Sequence, residues 1–235
     1  SPNSGIHGVY FAGDFEARLD GARGSEASSD QVVLIPSGGS SADRSLRLVN
    51  PANRFVAVDI AIFNSAGEAV YESQASIGPN AVAEIALGPL GNYSLSARVI
   101  STAPVAAQSA VRTVDSFMLV AGQPTSASGG TLLVAPHVVI GRGFDSTLVL
   151  ANPTSKAVTV FATVFDQDGG PVSPALTSPV RRALTIPANG LVSVSAASLT
   201  GLLFPPLANG WIEVETPAAV LAGVLVVSEG GSSTS

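Results

Sequence analysis

The chain of 235 residues contains no cysteine and only two histidines. The lack of cysteine excludes a disulfide scaffold, a zinc–thiolate site and a thiol nucleophile. Charged residues make up only 12% of the chain, and acidic residues outnumber basic ones by 17 to 11. A protein that binds duplex nucleic acid needs a basic patch, so we expect no nucleic-acid partner. No glycine-rich loop precedes a predicted helix and no Gly-x-Ser-x-Gly motif occurs, so neither a phosphate loop nor a hydrolase elbow is indicated.

Long apolar runs are also missing, although 46% of the residues are apolar. The longest uncharged stretch, residues 183–212, is interrupted by Pro187, Pro205 and Pro206. The apolar run at 220–227 is far shorter than the ~20 residues that a helix needs to cross a bilayer. We therefore expect a soluble protein with no membrane span. Its polar residues are mostly Ser, Thr, Asn and Gly, a composition commoner outside cells, which favours an extracellular or cell-surface location.

An internal repeat organises the chain. Residues 44–70 align without a gap on residues 146–172, at a spacing of 102. The second copy carries extra residues around Pro174, Arg181, Gly201 and Pro205, which we expect in surface loops because they are rich in Pro and Gly. The residues of the first copy that are identical in the second are Leu46, Leu48, Asn50, Pro51, Val56, Val58, Phe63, Gly67 and Val70.

Each copy has the pattern of β-strands. Apolar residues alternate with small or polar ones at 56–62 and at 158–164, which is typical of strands with one face on a core. Turn signals recur about every ten residues and no helical periodicity is present, so the pattern predicts no helices. We expect an all-β protein of two tandem antiparallel β-sandwich modules, Ig-like in class, with about seven strands each. The inward side chains are predicted to include Leu48, Val58, Leu150 and Val160.

The repeat also sets the expected boundaries. Residues 28–126 and 127–230 are predicted to be the two modules, close to the usual domain size. Residues 231–235 are predicted to be a flexible tail, and residues 1–27 a connecting strand segment. This segment resembles the joining segment between the copies, which contains the apolar run 117–120. We expect it to contact neighbouring modules or other molecules of the same chain, because a strand with apolar residues needs a sheet to accept it.

The Asn-Pro pairs are the most distinctive structural residues. Asn50-Pro51 and Asn152-Pro153 follow the same predicted core strand in the two copies. Proline cannot donate to a β-ladder, and asparagine tolerates turn geometry and bonds nearby backbone groups. We predict that both pairs end the strand in the same way, just after the core residues Leu48 and Leu150.

One polar cluster suggests a cation site. Asp166-Gln167-Asp168-Gly169 shares two acidic positions and a glycine with calcium loops. It lacks the third acidic residue and the distant bidentate glutamate of such loops, and the first copy has no acids there. The two interpretations are a plain hairpin turn and a weak calcium site at Asp166 and Asp168. No other group indicates a metal, and no cofactor is expected.

The second copy resembles a family of repeats. The sequence from Gly143 to Pro153, Gly-Phe-Asp-Ser-Thr-Leu-Val-Leu-Ala-Asn-Pro, is followed by Asp168-Gly169 and later by Gly210-Trp211. This resembles uncharacterised tandem β-sandwich repeats of bacterial secreted and surface proteins, with the pattern G-(F/Y)-x-(T/S)-x-L-x-L-x-N-P. The first copy fits the Leu-x-Leu-x-Asn-Pro part but lacks the Gly-Trp pair. The resemblance implies an extracellular setting and brings no catalytic residue.

These observations favour a non-enzymatic structural or adhesive protein outside the cell. Its tandem modules would space or assemble through self-association or with neighbouring modules, as in a surface filament of identical subunits. The alternative is a carbohydrate-binding module of a secreted bacterial protein, which would cluster exposed aromatic side chains with Asp or Asn in one copy.

Overall fold

The structure is a computed structural model that describes residues 9–13, 19–23, 27–37, 42–88, 90–91, 93–113, 117–125, 132–142, 144–173, 176–202, 208–216 and 222–229. The described chain is almost entirely β-strand, and its strands pair in antiparallel sheets. The predicted all-β, antiparallel class is therefore confirmed. The predicted tail at 231–235 lies outside the described residues.

The chain divides into two compact units, with the change at residues 127 and 128 and with Ser65–Glu68 grouped with the second unit. The first unit begins with a two-stranded hairpin, and its remaining strands form the connected sheets of the first module. Its strands are β1 (Val9–Gly13), β2 (Leu19–Arg23), β3 (Ser28–Ile35), β4 (Asp43–Val49), β5 (Val56–Phe63), β6 (Ala69–Ile77), β7 (Val82–Ala86), β8 (Leu95–Arg112), β9 (Phe117–Ala121) and β10 (Gln123–Pro124).

The described residues of the second unit form seven strands and one helical turn. Its two sheets have the orders β11-β16-β13-β14 and β15-β12-β17. Its elements are β11 (Leu132–Ile140), β12 (Phe144–Ala151), β13 (Val158–Asp166), β14 (Arg181–Ile186), β15 (Leu191–Ser195), α1 (Ala196–Thr200), β16 (Ala208–Glu215) and β17 (Ala222–Glu229).

The first module has the same seven positions in the same order, but one strand fills two of them. Its long strand β8 changes sheets: residues 95–101 pair with β3 and β5, and residues 106–112 pair with β4. The second module uses two separate strands, β16 and β17, for the same two roles. In an immunoglobulin constant domain the first strand pairs with the second and the last with the sixth. Here the first strand pairs with the sixth, and the last with the second.

Each module has a hydrophobic core of its own, filled by the inward faces of its two sheets. Leu48 and Val58 lie in the first core and Leu150 and Val160 in the second, with at most 1% of each residue exposed. Alternating burial along β5, from Val56 to Ile62, matches the period-two pattern in the sequence. The inward face is therefore the one that carries the branched aliphatic residues.

Two expectations about the extra residues of the second copy were wrong. Residues 196–200 form the helix α1, although no helix was predicted, and its Leu199 is only 2% exposed in the second core. A single helical turn is too short to show a 3.6-residue period. Arg181 and Arg182 were expected in a loop, but they begin β14, where Arg181 pairs with Thr163 of β13.

Among the described residues, no helix is long and apolar enough to cross a membrane.

Candidate functional site

The asparagine that follows β4 is a buried connection between backbone segments. Asn50 is 0% exposed. Its Nδ2 lies 2.7 Å from the carbonyl oxygen of Arg54, 3.1 Å from that of Ile77 and 2.8 Å from that of Gly78. Its Oδ1 accepts from the backbone N–H of Ala52 at 2.9 Å. One side chain thus satisfies backbone groups on both sides of the β5–β6 hairpin.

The second module contains the same arrangement. Asn152 is 0% exposed, and its Nδ2 donates to the carbonyl oxygens of Lys156 at 2.8 Å, Ile186 at 3.3 Å and Pro187 at 2.9 Å. Its Oδ1 accepts from the backbone N–H of Thr154 at 3.0 Å. We call Asn50 and Asn152, with these partners, the asparagine clamps.

The loop that each clamp holds is also repeated. Asn80 and Asn189 have positive φ angles of 50° and 55°, a region that asparagine tolerates better than most residues. Their backbone N–H groups donate at 2.9 Å to the carbonyl oxygens of Ala52 and Thr154 respectively. Buried backbone groups need partners, so each clamp stabilises the end of one strand and the following hairpin together.

The prolines of the Asn-Pro pairs lie outside the clamps' hydrogen bonds. Pro51 is exposed and Pro153 is half-buried. Each proline lies two residues after the end of its strand, since β4 ends at Val49 and β12 at Ala151. Because proline has no N–H, it leaves no unpaired donor at this point.

The acidic candidate site is a hairpin turn held by its own aspartate. Asp166 Oδ1 accepts from the backbone N–H groups of Asp168 at 2.9 Å and Gly170 at 2.6 Å. Gly169 has φ +82°, the left-handed conformation that favours glycine in turns. These contacts are those of a plain hairpin turn. Among the described residues, no group of three or more His, Asp or Glu side chains could hold a metal ion.

An aromatic pair lies beside this turn on the outer face of the second module. Phe165 of β13 and Trp211 of β16 are direct cross-strand partners, with ring centroids 4.1 Å apart and planes inclined by 12°. Such a stack contributes about 0.5–1.5 kcal/mol beyond its burial. The lining of an open depression of about 530 Å³ includes Asp166, which follows Phe165 in the chain, and Asn209, two residues before Trp211.

A salt bridge and a cation–π contact extend the same face. The guanidinium of Arg181 lies 3.7 Å from the ring centroid of Phe161, and its Nη2 is 2.5 Å from Glu215 Oε2. Both ionic side chains are about half exposed, so the pair is screened by water and adds little stability. It holds the Arg181 plane over the Phe161 ring.

The equivalent face of the first module has different chemistry. Register places Ser96 opposite Phe63, where the second module has Trp211 opposite Phe165. The open depression on this face measures about 560 Å³, and its lining includes Asp59, Glu72 and Arg98. By the same register, Asp59 and Glu72 stand where the second module has Phe161 and Arg181.

The cation on this face belongs to a salt bridge. Arg98 Nη2 is 2.9 Å from Asp30 Oδ2, and Arg98 Nε is 3.2 Å from Asp30 Oδ1. Burial raises the pKa of Asp30, but hydrogen bonds from Arg98 and Thr125 and the charge of Arg98 outweigh burial, so the pKa lies below its ordinary value. The bidentate geometry orients Arg98 along the sheet surface.

The two modules differ most at their sheet edges. In the first module, β9 pairs with the second half of β8, and β10 pairs with the edge of β3. In the described part of the second module, no strand pairs with the corresponding edges of β17 and β11. Val32 of β3, which lies beside β10 and opposite Arg98 of β8, is 4% exposed. Val134 of β11, which lies opposite Glu213 at the same place in the register of the second module, is 51% exposed.

Sequence reasoning missed three buried residues that build the first module. Gln31 is 0% exposed and donates through Nε2 to the carbonyl oxygens of Ser28 and Val105. Arg44 is 3% exposed and donates to the carbonyl oxygens of Tyr93 and Gly91. Arg44 is in phase with the inward residues Leu46 and Leu48, so the alternation that predicted the core was the signal that could have found it.

The third missed residue is Gly122, directly after β9. A Cβ there would lie 2.6 Å from Gln31 Oε1 and 2.9 Å from the carbonyl oxygen of Ala107, so only glycine fits without a shift. Its backbone N–H donates to that carbonyl oxygen at 2.8 Å. This close approach fastens the joining segment to β8.

Comparison with known proteins leaves the family open. No family model matches the chain, and no curated protein matches it. Solved structures of infectious bursal disease virus are among the structural matches. For the Gx strain the identity is 12%, the match covers 97% of this chain and 72% of that one, and the TM-score is 0.23. For the Gt strain the identity is 11%, the match covers 96% of this chain and 72% of that one, and the TM-score is 0.20.

Proposed function

We propose that the protein is a non-enzymatic structural component of the extracellular space or cell surface, which spaces or assembles through its β-sandwich modules. The supporting observation is that the segment between the two repeats is part of the first module's sheets. Strand β9 extends the sheet of β8, and β10 extends the sheet of β3. A joining segment that is hydrogen-bonded in this way is stiffer than a free linker.

The clamps support the same function. Each one replaces water as the partner of several backbone carbonyl groups at the end of a core strand. Rigid modules with satisfied backbone groups suit a role that transmits or resists force. The clamps occur in both copies, as a structural property of the repeat requires.

The location is tested by labelling intact cells of the source with an antibody raised against the purified chain. We expect labelling of intact cells to equal that of permeabilised cells. Labelling that requires permeabilisation would contradict the proposed extracellular location.

Self-association is tested by sedimentation velocity over a range of protein concentrations, followed by electron microscopy of the largest species. We expect a series of species that grows with concentration and appears as linear arrays. A monomer at every concentration would contradict the assembly role.

A second candidate function is the binding of carbohydrate by the second module. The stacked Phe165 and Trp211 supply an apolar ring surface, and Asp166 and Asn209, their near neighbours in the chain, supply hydrogen-bonding groups that line a depression. The depression of about 530 Å³ is within the range of small-molecule sites, about 300–1,000 Å³. The first module has Ser96 in the place of Trp211, so this function would belong to the second module alone.

Trp211 is the only tryptophan and therefore reports on this site by its fluorescence. Soluble oligosaccharides of cellulose, chitin and xylan are suitable probes. We expect a saturable change in fluorescence with at least one of them if the site binds sugar. A matched calorimetric titration with Trp211→Ala should then show no binding, and equal binding by this variant would exclude the stacked pair as the site.

A further inference from the structure

The first module shows how its last strand is covered. Strand β9 lies antiparallel to the second half of β8, with Ala121 opposite Gln108 and Val120 opposite Ser109. The N–H of Gly122 then donates to the carbonyl oxygen of Ala107. The edge that β8 would otherwise expose is therefore occupied by the strand that follows the module in the chain.

Strand β17 is the counterpart of this half of β8. Leu48 of β4 lies opposite Ala107, and the repeat-equivalent Leu150 of β12 lies opposite Gly223. By the same register, Val224 corresponds to Gln108 and Leu225 to Ser109. The position that β9 takes on β8 is therefore defined, residue by residue, along β17.

In the described part of the second module, β17 pairs with β12 and with no strand on its other side. Residues 224–227 are Val-Leu-Val-Val, an uncharged run that carries none of the charges or prolines with which natural edge strands avoid pairing. The edge strand of the other sheet, β11, is uncovered as well, because its Val134 is exposed whereas the equivalent Val32 of β3 is buried.

Strand β1 repeats the sequence pattern of β9. Met118-Leu119-Val120-Ala121-Gly122 and Val9-Tyr10-Phe11-Ala12-Gly13 both have three large apolar residues followed by Ala-Gly. The glycine is a specific part of the match, because a Cβ at Gly122 would come within 3 Å of two oxygen atoms. Strand β1 pairs with β2 on one side, and no described strand pairs with its other side.

We propose that β1 of one molecule adds to the β17 edge of a second molecule of the same chain, in the place that β9 takes on β8. Ala12 then lies opposite Val224, Phe11 opposite Leu225 and Tyr10 opposite Val226. This inference rests on the proposed structural function and specifies its partner, another molecule of the same chain.

A second molecule of the same chain can keep this order of elements. Strand β9 covers the module that precedes it in the chain. In a head-to-tail array, the module that precedes β1 is the second module of the next molecule. Each molecule then presents one strand and one edge, so the contact is heterologous and builds a ring where its rotation closes and an open filament where it does not.

Cysteine cross-linking tests this register on a chain that has no cysteine of its own. The four single variants Ala12→Cys, Phe11→Cys, Val224→Cys and Leu225→Cys are made, and the two β17 variants are labelled with ¹⁵N. Each β1 variant is mixed with each β17 variant and oxidised mildly, and the mixed dimers are identified by mass. The double variant Gln108→Cys, Ala121→Cys is the control, because these two residues lie opposite each other in the first module and show the disulfide yield to expect from a correctly paired position.

The proposal predicts mixed dimers for Ala12 with Val224 and for Phe11 with Leu225. Hydrogen-bonded and non-hydrogen-bonded pairs alternate, so the closer of these two pairs should cross-link better. The crossed combinations, Ala12 with Leu225 and Phe11 with Val224, should give at least tenfold less, because a slip of one residue places the side chains on opposite faces. Equal yields in all four mixtures would overturn the proposal.

The double variant Ala12→Cys, Val224→Cys tests the choice of partner. Oxidation should produce a ladder of dimers and larger species on a non-reducing gel. A bond within one chain would show that β1 covers its own second module and would overturn the inference. The cross-links report strand addition and the antibody labelling reports location, so the inference and the proposed location can fail separately.

Discussion

The two modules agree in their interiors and differ at their surfaces. Both have seven strand positions in the same order and an asparagine clamp with the same three kinds of partner. Their outer faces differ, with an aromatic stack in the second module and a pair of carboxylates beside Arg98 in the first. The edges also differ, because β9 and β10 extend the first module, and no described strand takes their places in the second.

The features that the modules share are those that the fold requires, and the features that differ belong to one module alone. The clamps and inward aliphatic residues satisfy backbone groups and fill space, and every copy of the fold has these requirements. A face or an edge is free to differ once the core is complete. The differences therefore mark the places where the proposed binding and assembly are to be tested, and the following predictions test each level of the comparison.

The largest effect is expected at the clamps. Asn50→Ala and Asn152→Ala each remove a donor shared by three buried or half-buried carbonyl oxygens and an acceptor for one N–H. With about 1–3 kcal/mol for each unsatisfied group, we expect each change to cost about 3–6 kcal/mol. Urea unfolding, followed for each module by hydrogen exchange of its peptides, measures the two costs separately.

Asn50→Asp is the matched variant, because it keeps the shape and the acceptor but replaces the donating amide by a carboxylate. It should cost at least as much as Asn50→Ala at neutral pH, since a charge would face carbonyl oxygens. An ordinary surface change costs less than about 0.5 kcal/mol. A cost this small for either alanine variant would contradict the stabilising role of the clamps.

Truncation of the equivalent core leucines should have the next largest effect. Leu48→Ala and Leu150→Ala each leave a cavity in a core where at most 1% of the leucine is exposed. We expect a loss of about 2–5 kcal/mol in each module. Thermal unfolding of the two variants beside the wild type measures this, and unequal losses would show which core repacks more easily.

The joining segment gives a smaller effect that belongs to the first module alone. Gly122→Ala places a Cβ 2.9 Å from the carbonyl oxygen of Ala107, and the backbone must shift to accept it. We expect a cost of about 1–3 kcal/mol and faster hydrogen exchange along β8 and β9. Gly78→Ala is the control, since its nearest new contacts are 3.8 Å away. Equal costs for both variants would contradict the close fit at Gly122.

The smallest effect concerns pH and the Asp30–Arg98 pair. The pKa of Asp30 lies below its ordinary value of 3.8 in the folded chain. The pair therefore stabilises the first module above about pH 3.8, and this contribution is lost as the pH falls through the lower, folded-state pKa. Both side chains are about a third exposed, so solvent screening limits the contribution to less than about 1 kcal/mol.

Asp30→Asn should remove this part of the acid dependence. Chemical unfolding at a series of pH values, with wild type and variant compared at each, measures the difference. The stability gap should close toward low pH. A gap that stays constant down to acid pH would show that the pair does not contribute through its charge.

The sequence by itself was sufficient for the fold class and for the inward face of most strands. Alternation at 56–62 and 158–164 indicated strands with Val58 and Val160 inward, because a pleated strand has a period of two residues wherever one face is buried. The Asn-Pro pairs marked the strand ends because they act on their immediate neighbours. Helix α1 was not predicted, because a five-residue element is too short to show a helical period.

Only the tertiary structure decided the clamps' partners, the stacking of Phe165 on Trp211 and the pairing of β9 with β8. Asn50 bonds to residues 27 and 28 positions further along the chain, and Gly122 is restricted by Gln31, far away in the sequence. Such contacts depend on which strands become neighbours, and local periodicity carries no information about that. The same reason explains the edges: whether a strand is covered is a property of the assembled sheet, while its residues alone show only that it can pair.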